Sequence, residues 1–137
     1  MIGLVLAAAM GAAGSTAEFR TMTDGQFCAI GRQVVASLQG KLPVRADSVT
    51  QIERIAMICD QRTMQTDRRI SVDVSEMASG WEEAKLAQWS AITCRNPLFN
   101  VMAHKGWRFT HTMIFRSGER VTQEADCSAF PLGGTQK

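Results

Sequence analysis

From Phe27 onward the apolar positions recur at helical spacing, with Phe27, Ile30, Val34, Val35 and Leu38 on one face. Thr23 and Asp24 stand before that face as a cap, and Gly40 and Pro43 close it, so a helix is predicted between them. After Val49 the period shortens to two. Met64, Thr66, Arg68, Ile70, Val72 and Val74 share one parity, while Gln65, Asp67, Arg69, Ser71 and Asp73 take the other, the pattern of a half-buried strand. The run Val49 to Cys59 alternates less cleanly. As a partner for the second run, it predicts a β-hairpin turning near Asp60 to Arg62.

The helical period then returns. Ser79 is the expected cap of a helix that carries Glu82 and Glu83 in its first turn, where acids complement the dipole. Its apolar face holds Trp81, Ala84, Leu86, Trp89 and Ile92, and it ends near Cys94. Asn96 as cap and Pro97 at the first position restart a helix with Leu98, Val101 and Met102 on one face, and Gly106 stops it. Beyond Gly106 a strand row appears, with Trp107, Phe109, His111, Met113 and Phe115 on the inward parity. Arg108, Thr110, Thr112, Ile114 and Arg116 take the outward one, joined past the Ser117-Gly118 bend by Arg120, Thr122 and Glu124. Helix, hairpin, two helices, hairpin is a grouped order, not an alternating βαβ one. It predicts an α+β fold: an antiparallel four-stranded sheet from two β-hairpins packed against three helices.

Composition narrows this picture. The chain has 137 residues, 45% hydrophobic and 20% charged, which suits one globular domain with a modest core. The first seventeen residues hold no charged side chain, and Ser15-Thr16-Ala17 forms a small-x-small cleavage site. We therefore expect residues 1–17 to be a signal peptide and residues 18–137 a single α+β domain, periplasmic or secreted, with no stable membrane insertion after cleavage. A net charge of +2 is too weak to imply nucleic acid as a partner.

Four cysteines, Cys28, Cys59, Cys94 and Cys127, lie about 30 to 35 residues apart, with no CxxC pair and only His104 and His111 to join them on a metal. In an oxidising compartment disulfides are the expectation, and no metal or other cofactor is expected. Of the three possible connectivities we favour Cys28–Cys59 with Cys94–Cys127. Each closes a loop worth roughly 3 to 4 kcal/mol in the chain-entropy model.

The order of a helix, Leu42-Pro43, Asp47 and Thr50, a two-stranded segment, then Cys94, Pro97, Gly106, Gly118 and Cys127 resembles the small exported bacterial proteins called quorum-sensing-regulated virulence factors. The resemblance runs over roughly residues 22 to 127. It implies a compact exported α+β protein and carries no catalytic residues over.

Chemistry-bearing motifs are absent: there is no Walker loop, GxGxxG, GxSxG or HExxH. A nucleophilic cysteine needs a base and an orienting group, and here each cysteine has a prospective disulfide partner. His111, set in an apolar row, is expected as a buried, hydrogen-bonded or partly exposed imidazole whose protonation near pH 6 would make the hairpin acid-sensitive. Threonines and arginines on the outward parity make Arg108, Thr110, Thr112 and Arg116 the candidate binding residues, since arginine binds carboxylates bidentately. The expected function is a non-enzymatic, exported binding or assembly protein acting on a protein partner in the envelope or outside the cell. An inhibitor of a secreted lysozyme or protease is the alternative, and a small envelope hydrolase using paired acids ranks behind it.

Overall fold

The computed structural model of the protein describes residues 16–132. Apart from Thr16 and Ala17, the expected signal peptide lies outside them. The elements run α1 (Thr16–Arg20), α2 (Asp24–Gln39), β1 (Val44–Arg45), β2 (Thr50–Ile58), β3 (Thr63–Ile70), α3 (Trp81–Cys94), α4 (Pro97–His104), β4 (Arg108–Ile114) and β5 (Arg120–Glu124). Short 3-10 turns at Cys59–Gln61 and Val74–Glu76 follow β2 and β3.

The sheet has five strands in the order β1-β2-β3-β4-β5, and it is mixed. This corrects the expectation of four antiparallel strands. Both predicted hairpins form, but β3 and β4, which join them, run parallel. Parallel neighbours need a long crossover, and α3 with α4 provides it. The fifth strand, β1, is two residues long, too short for any alternation to show. Among the described residues four α-helices form instead of three; the additional one, α1, straddles the expected cleavage point and is only five residues long, too short for a helical period to show. Strand β3 also stops at Ile70, and Val74 enters a 3-10 turn instead of extending the strand.

Local chemistry explains most boundaries. Thr23 and Gln26 cap α2 reciprocally, the Gln26 N–H donating to the Thr23 hydroxyl and the Thr23 N–H to the Gln26 amide oxygen. Asn96 caps α4 by accepting from the Phe99 N–H at 3.1 Å, with Pro97 behind it. The cap of α3 is Gly80, not the expected Ser79. The chain enters that helix at φ 78°, a conformation glycine adopts without steric cost. The irregular alternation of β2 has a cause too. A bulge between Ile52 and Arg54 takes up Glu53, so Ile52, opposite Arg68, and Ile55, opposite Thr66, both turn inward.

The helices gather on one face of the sheet. Phe27, Val34 and Leu38 of α2 pack with Ile52 and Ile55, and Leu98, Phe99, Val101 and Met102 of α4 pack near Trp107 and Phe109. Phe27 is fully buried against the edge of Trp107, with ring centroids 6.3 Å apart, and the Trp107 indole N–H donates to Asp24 Oδ1 at 2.9 Å. Each large side chain removed from water this way stabilises the fold by roughly 1.5 to 3 kcal/mol. Ile70, Met113 and Phe115 form a second, smaller apolar cluster.

Both favoured disulfides are present. Cys28–Cys59 ties α2 to the β2–β3 turn, and Cys94–Cys127 ties the end of α3 to the chain after β5, with Cα atoms 5.6 and 5.4 Å apart. No helix among the described residues is long and apolar enough to cross a membrane.

Candidate functional site

The site forms where α3 crosses the sheet beside the β1–β2 turn. Lys85, Gln88, Trp89 and Ile92 recur at helical spacing on α3; Arg68 and Ile70 come from β3, His111 and Met113 from β4, and Asp47 and Thr50 from the turn. Together with Ala46 they line a cavity of about 120 Å³. That is several times the space one ordered water needs.

Trp89 is the platform of this cavity. Its indole stacks on the His111 ring, with centroids 4.7 Å apart and planes 9° apart, and the Arg68 guanidinium carbon stands 5.3 Å from its centroid. The indole N–H donates to the Phe109 carbonyl at 2.9 Å and so fixes the ring.

His111 is only 2% exposed, and its hydrogen bonds determine its tautomer. The Gln123 Nε2 donates to the Glu82 carbonyl at 2.8 Å, which leaves Gln123 Oε1 as an acceptor 2.8 Å from His111 Nε2. Nε2 therefore carries the hydrogen, and Nδ1 presents a lone pair. That Nδ1 is buried and has no partner. Burial is the main reason the imidazole pKa is lowered to about 4; the Gln123 bond opposes the shift, and the charges of Arg68 and Lys85 add to it. The titration expected near pH 6 is thus displaced well into acid.

Arg68 is in a similar state. Among the described residues it makes no hydrogen bond or ion pair, and its Nε is buried. Burial lowers its pKa, with the charge of Asp47 acting the other way from beyond contact distance. A guanidinium stays protonated regardless, so a cation stands in the wall of the cavity without an acceptor.

Asp47 cannot serve as that acceptor, because its charge is engaged in its own turn. Its Oδ1 accepts from the N–H groups of Val49 at 2.9 Å and Thr50 at 2.8 Å, and its Oδ2 lies 3.8 Å from Lys85 Nζ. Burial alone would raise its pKa, but these bonds, Thr50 and Lys85 outweigh burial and hold the carboxylate below its usual value. The Thr50 hydroxyl favours that charge by proximity yet makes no hydrogen bond of ordinary geometry. Four buried side-chain polar atoms lack a partner among the described residues, and three of them, on Thr50, Arg68 and His111, belong to this cavity.

The residues expected to bind lie elsewhere and do not converge. Arg108 opens β4 and Arg116 lies two residues beyond its end, roughly 25 Å apart along an extended chain. Arg108 pairs with Glu124 at 2.9 Å, and Arg116 pairs with Glu76 of the second 3-10 turn and with Asp73, which caps that turn. Thr110 and Thr112 do face away from the helices, but they are only 7% and 6% exposed. The Thr110 hydroxyl donates to Gln65, while Thr112 accepts from Gln65 at 2.8 Å and bonds Thr122 at 2.8 Å. Sequence reasoning did not select Arg68, Lys85 or Asp47. For Arg68 a signal was available: it is the charged residue on the apolar parity of its strand.

No cluster of three metal-ligating side chains forms among the described residues. No family model and no curated protein sequence matches the chain. Among solved structures it is similar to a Pseudomonas aeruginosa protein whose given name is that of an inferred secreted protein. The two share a TM-score of 0.61 and 10% identity over 75% of this chain and 91% of that one. At that identity the likeness shows a common fold and nothing finer.

Proposed function

We propose that the chain is an exported, non-enzymatic binding protein of the bacterial envelope, periplasmic or secreted, that engages a protein partner through the cleft at Arg68 and His111. One observation carries the reading: a guanidinium held in a cavity wall with no acceptor. Arg68 is half-buried, with its Nε buried and unbonded, and a partly desolvated cation without a partner is costly, so an anionic group from outside the described residues is the natural complement. Export is supported by the uncharged leader, the two disulfides and the secreted name of the protein that shares the fold. Association with virulence rests on the motif resemblance around Cys94, Pro97, Gly106, Gly118 and Cys127. A binding role suits the cleft better than acid–base chemistry, because Asp47 is held ionised and is not poised to donate a proton.

The test is capture of partners from envelope and culture extracts with the oxidised protein. Arg68→Gln should abolish recovery of a specific partner, whereas an Arg108→Ala/Arg116→Ala chain should retain it. The reverse pattern would move the binding surface to the outer face of the sheet, and equal recovery by all three chains would discard both surfaces.

A further inference from the structure

Resting on that binding role, we propose that the group recognised is a free chain-terminal carboxylate together with the N–H on its neighbouring carbon, as presented by the C-terminus of a protein partner.

The cleft offers two kinds of complement side by side. Arg68 and Lys85 supply donors and positive charge, and the planar guanidinium matches the two oxygens of a carboxylate. His111 supplies the opposite, a buried lone pair on Nδ1, since its Nε2 hydrogen is already committed to Gln123. Hydrogen phosphate carries a P–OH that can donate to the imidazole but brings no apolar group for the rest of the wall, and a bare carboxylate such as acetate would satisfy the first pair but set its own lone pairs against the imidazole. An aspartate or glutamate side chain has the same defect, because no N–H or O–H lies next to its carboxylate. A chain terminus has both groups, its amide N–H being two covalent bonds from the carboxylate carbon. A free amino acid also has both, but its ammonium would add a third cation beside Arg68 and Lys85. Asp47 eases that charge from a distance, as it does for Arg68, but its oxygens are already taken by the Val49 and Thr50 N–H groups and by Lys85, so the ammonium would find no direct partner. Of the remaining wall, Ala46, Ile70, Ile92 and Met113 are apolar and suit a small terminal side chain, with Thr50 and Gln88 polar beside them. Capture of a terminal carboxylate by convergent backbone N–H groups is a known mode of peptide recognition, and here the Arg68 and Lys85 side chains take the donors' part.

The probes are N-acetyl-trialanine as the free acid and as its C-terminal amide, free alanine, acetate and inorganic phosphate. Each is titrated into the ¹⁵N-labelled oxidised protein while the Trp89 Nε1, Arg68 Nε and His111 ring signals are followed. The free-acid peptide should shift all three saturably, and each of the other probes should bind about 10-fold more weakly or worse. Arg68→Gln should abolish the response. Lys85→Gln, at a partly exposed position, should weaken it several-fold and decides the matter if the Arg68 variant does not fold. Equal binding of the amide would overturn the carboxylate assignment. Acetate binding as tightly as the peptide would overturn the requirement for the N–H, and phosphate binding as tightly would replace the chain terminus with a hydrogen-bearing inorganic anion. Alanine binding more tightly would name a free amino acid as the ligand in place of a chain terminus. If no probe shifts the cleft while partner capture still depends on Arg68, the terminus assignment is wrong and the binding role stands; if capture fails as well, both are wrong.

Discussion

Gln65 and Arg68 lie three residues apart on β3 and project from opposite faces of the sheet. Gln65, on the face without helices, is bonded to Thr110, Thr112 and Asp67, and around it Arg108 meets Glu124 and Arg69 meets Glu53. The Arg68 guanidinium, on the face covered by α3, rests over Trp89 but makes no hydrogen bond or ion pair among the described residues. The wetter face is therefore internally satisfied and the drier one is not. Polar groups near solvent find partners among their neighbours or in water, so exposure says little about recognition. An unmet polar group under a helix is costly to keep, and that cost is better evidence for a ligand.

The comparison can be broken at its platform. Trp89→Ala removes the surface on which His111 and Arg68 rest, together with a buried aromatic, and should cost about 3 to 5 kcal/mol in urea unfolding. A comparable loss from any single outer-face substitution would erase the distinction.

Next comes pH. The folded pKa of His111 is about 4, below the ordinary 6.5, so the unfolded chain takes up the proton first. Its contribution to stability is therefore full above about pH 6.5, declines as the pH falls towards 4, and is gone below that, a change of about 3 kcal/mol. Burial sets most of this window; the Gln123 bond narrows it, and the charges of Arg68 and Lys85 widen it. In urea melts across that range, a His111→Phe chain should lose the decline that the parent shows between pH 6.5 and 4. Parallel curves would mean the imidazole is not neutral in the fold.

The sharpest contrast is one of sign. Arg68→Met replaces an unpaired cation with an apolar chain and should stabilise the ligand-free protein by about 1 to 2 kcal/mol, while abolishing partner capture. Thr112→Val, which strips a hydroxyl bonded to Gln65 and Thr122, should instead cost about 1 kcal/mol and leave capture intact. Thermal melts of the two side by side decide this, and a destabilising Arg68→Met would mean that the guanidinium is better satisfied than its contacts indicate. The smallest effect belongs to Arg108→Ala. Its pair with Glu124 is exposed on both sides, and the change should stay within about 0.5 kcal/mol.

Much of the scaffold was legible because it follows from local chemistry. The cap at Thr23, the Asn96-Pro97 restart, the bend at Gly118 and the inward row from Trp107 to Phe115 all depend on residues within a few positions of one another. Of the site, two members were visible as anomalies of pattern: His111 within an apolar row, and Arg68 on the apolar parity of β3. Neither Lys85 nor Asp47 was, since each is an ordinary charged residue until the β1–β2 turn and α3 meet over the sheet. Thr110 and Thr112 show the converse. Their parity faces away from the helices, yet Gln65 from one neighbouring strand and Thr122 from the other cover them. Alternation reports which face a residue takes and nothing of what stands beside it on the next strand.

By itself, then, the sequence determined the helices and hairpins, the inward row of β4 and the four cysteines as two prospective bonds, because periodicity, capping and residue chemistry act over short distances. Only the tertiary structure decided that β3 and β4 run parallel side by side, that β1 adds an edge, and that Arg68, His111, Lys85 and Asp47 share one cavity. Those outcomes depend on how α3 and α4 cross over the sheet, a choice made by packing between segments distant in the chain.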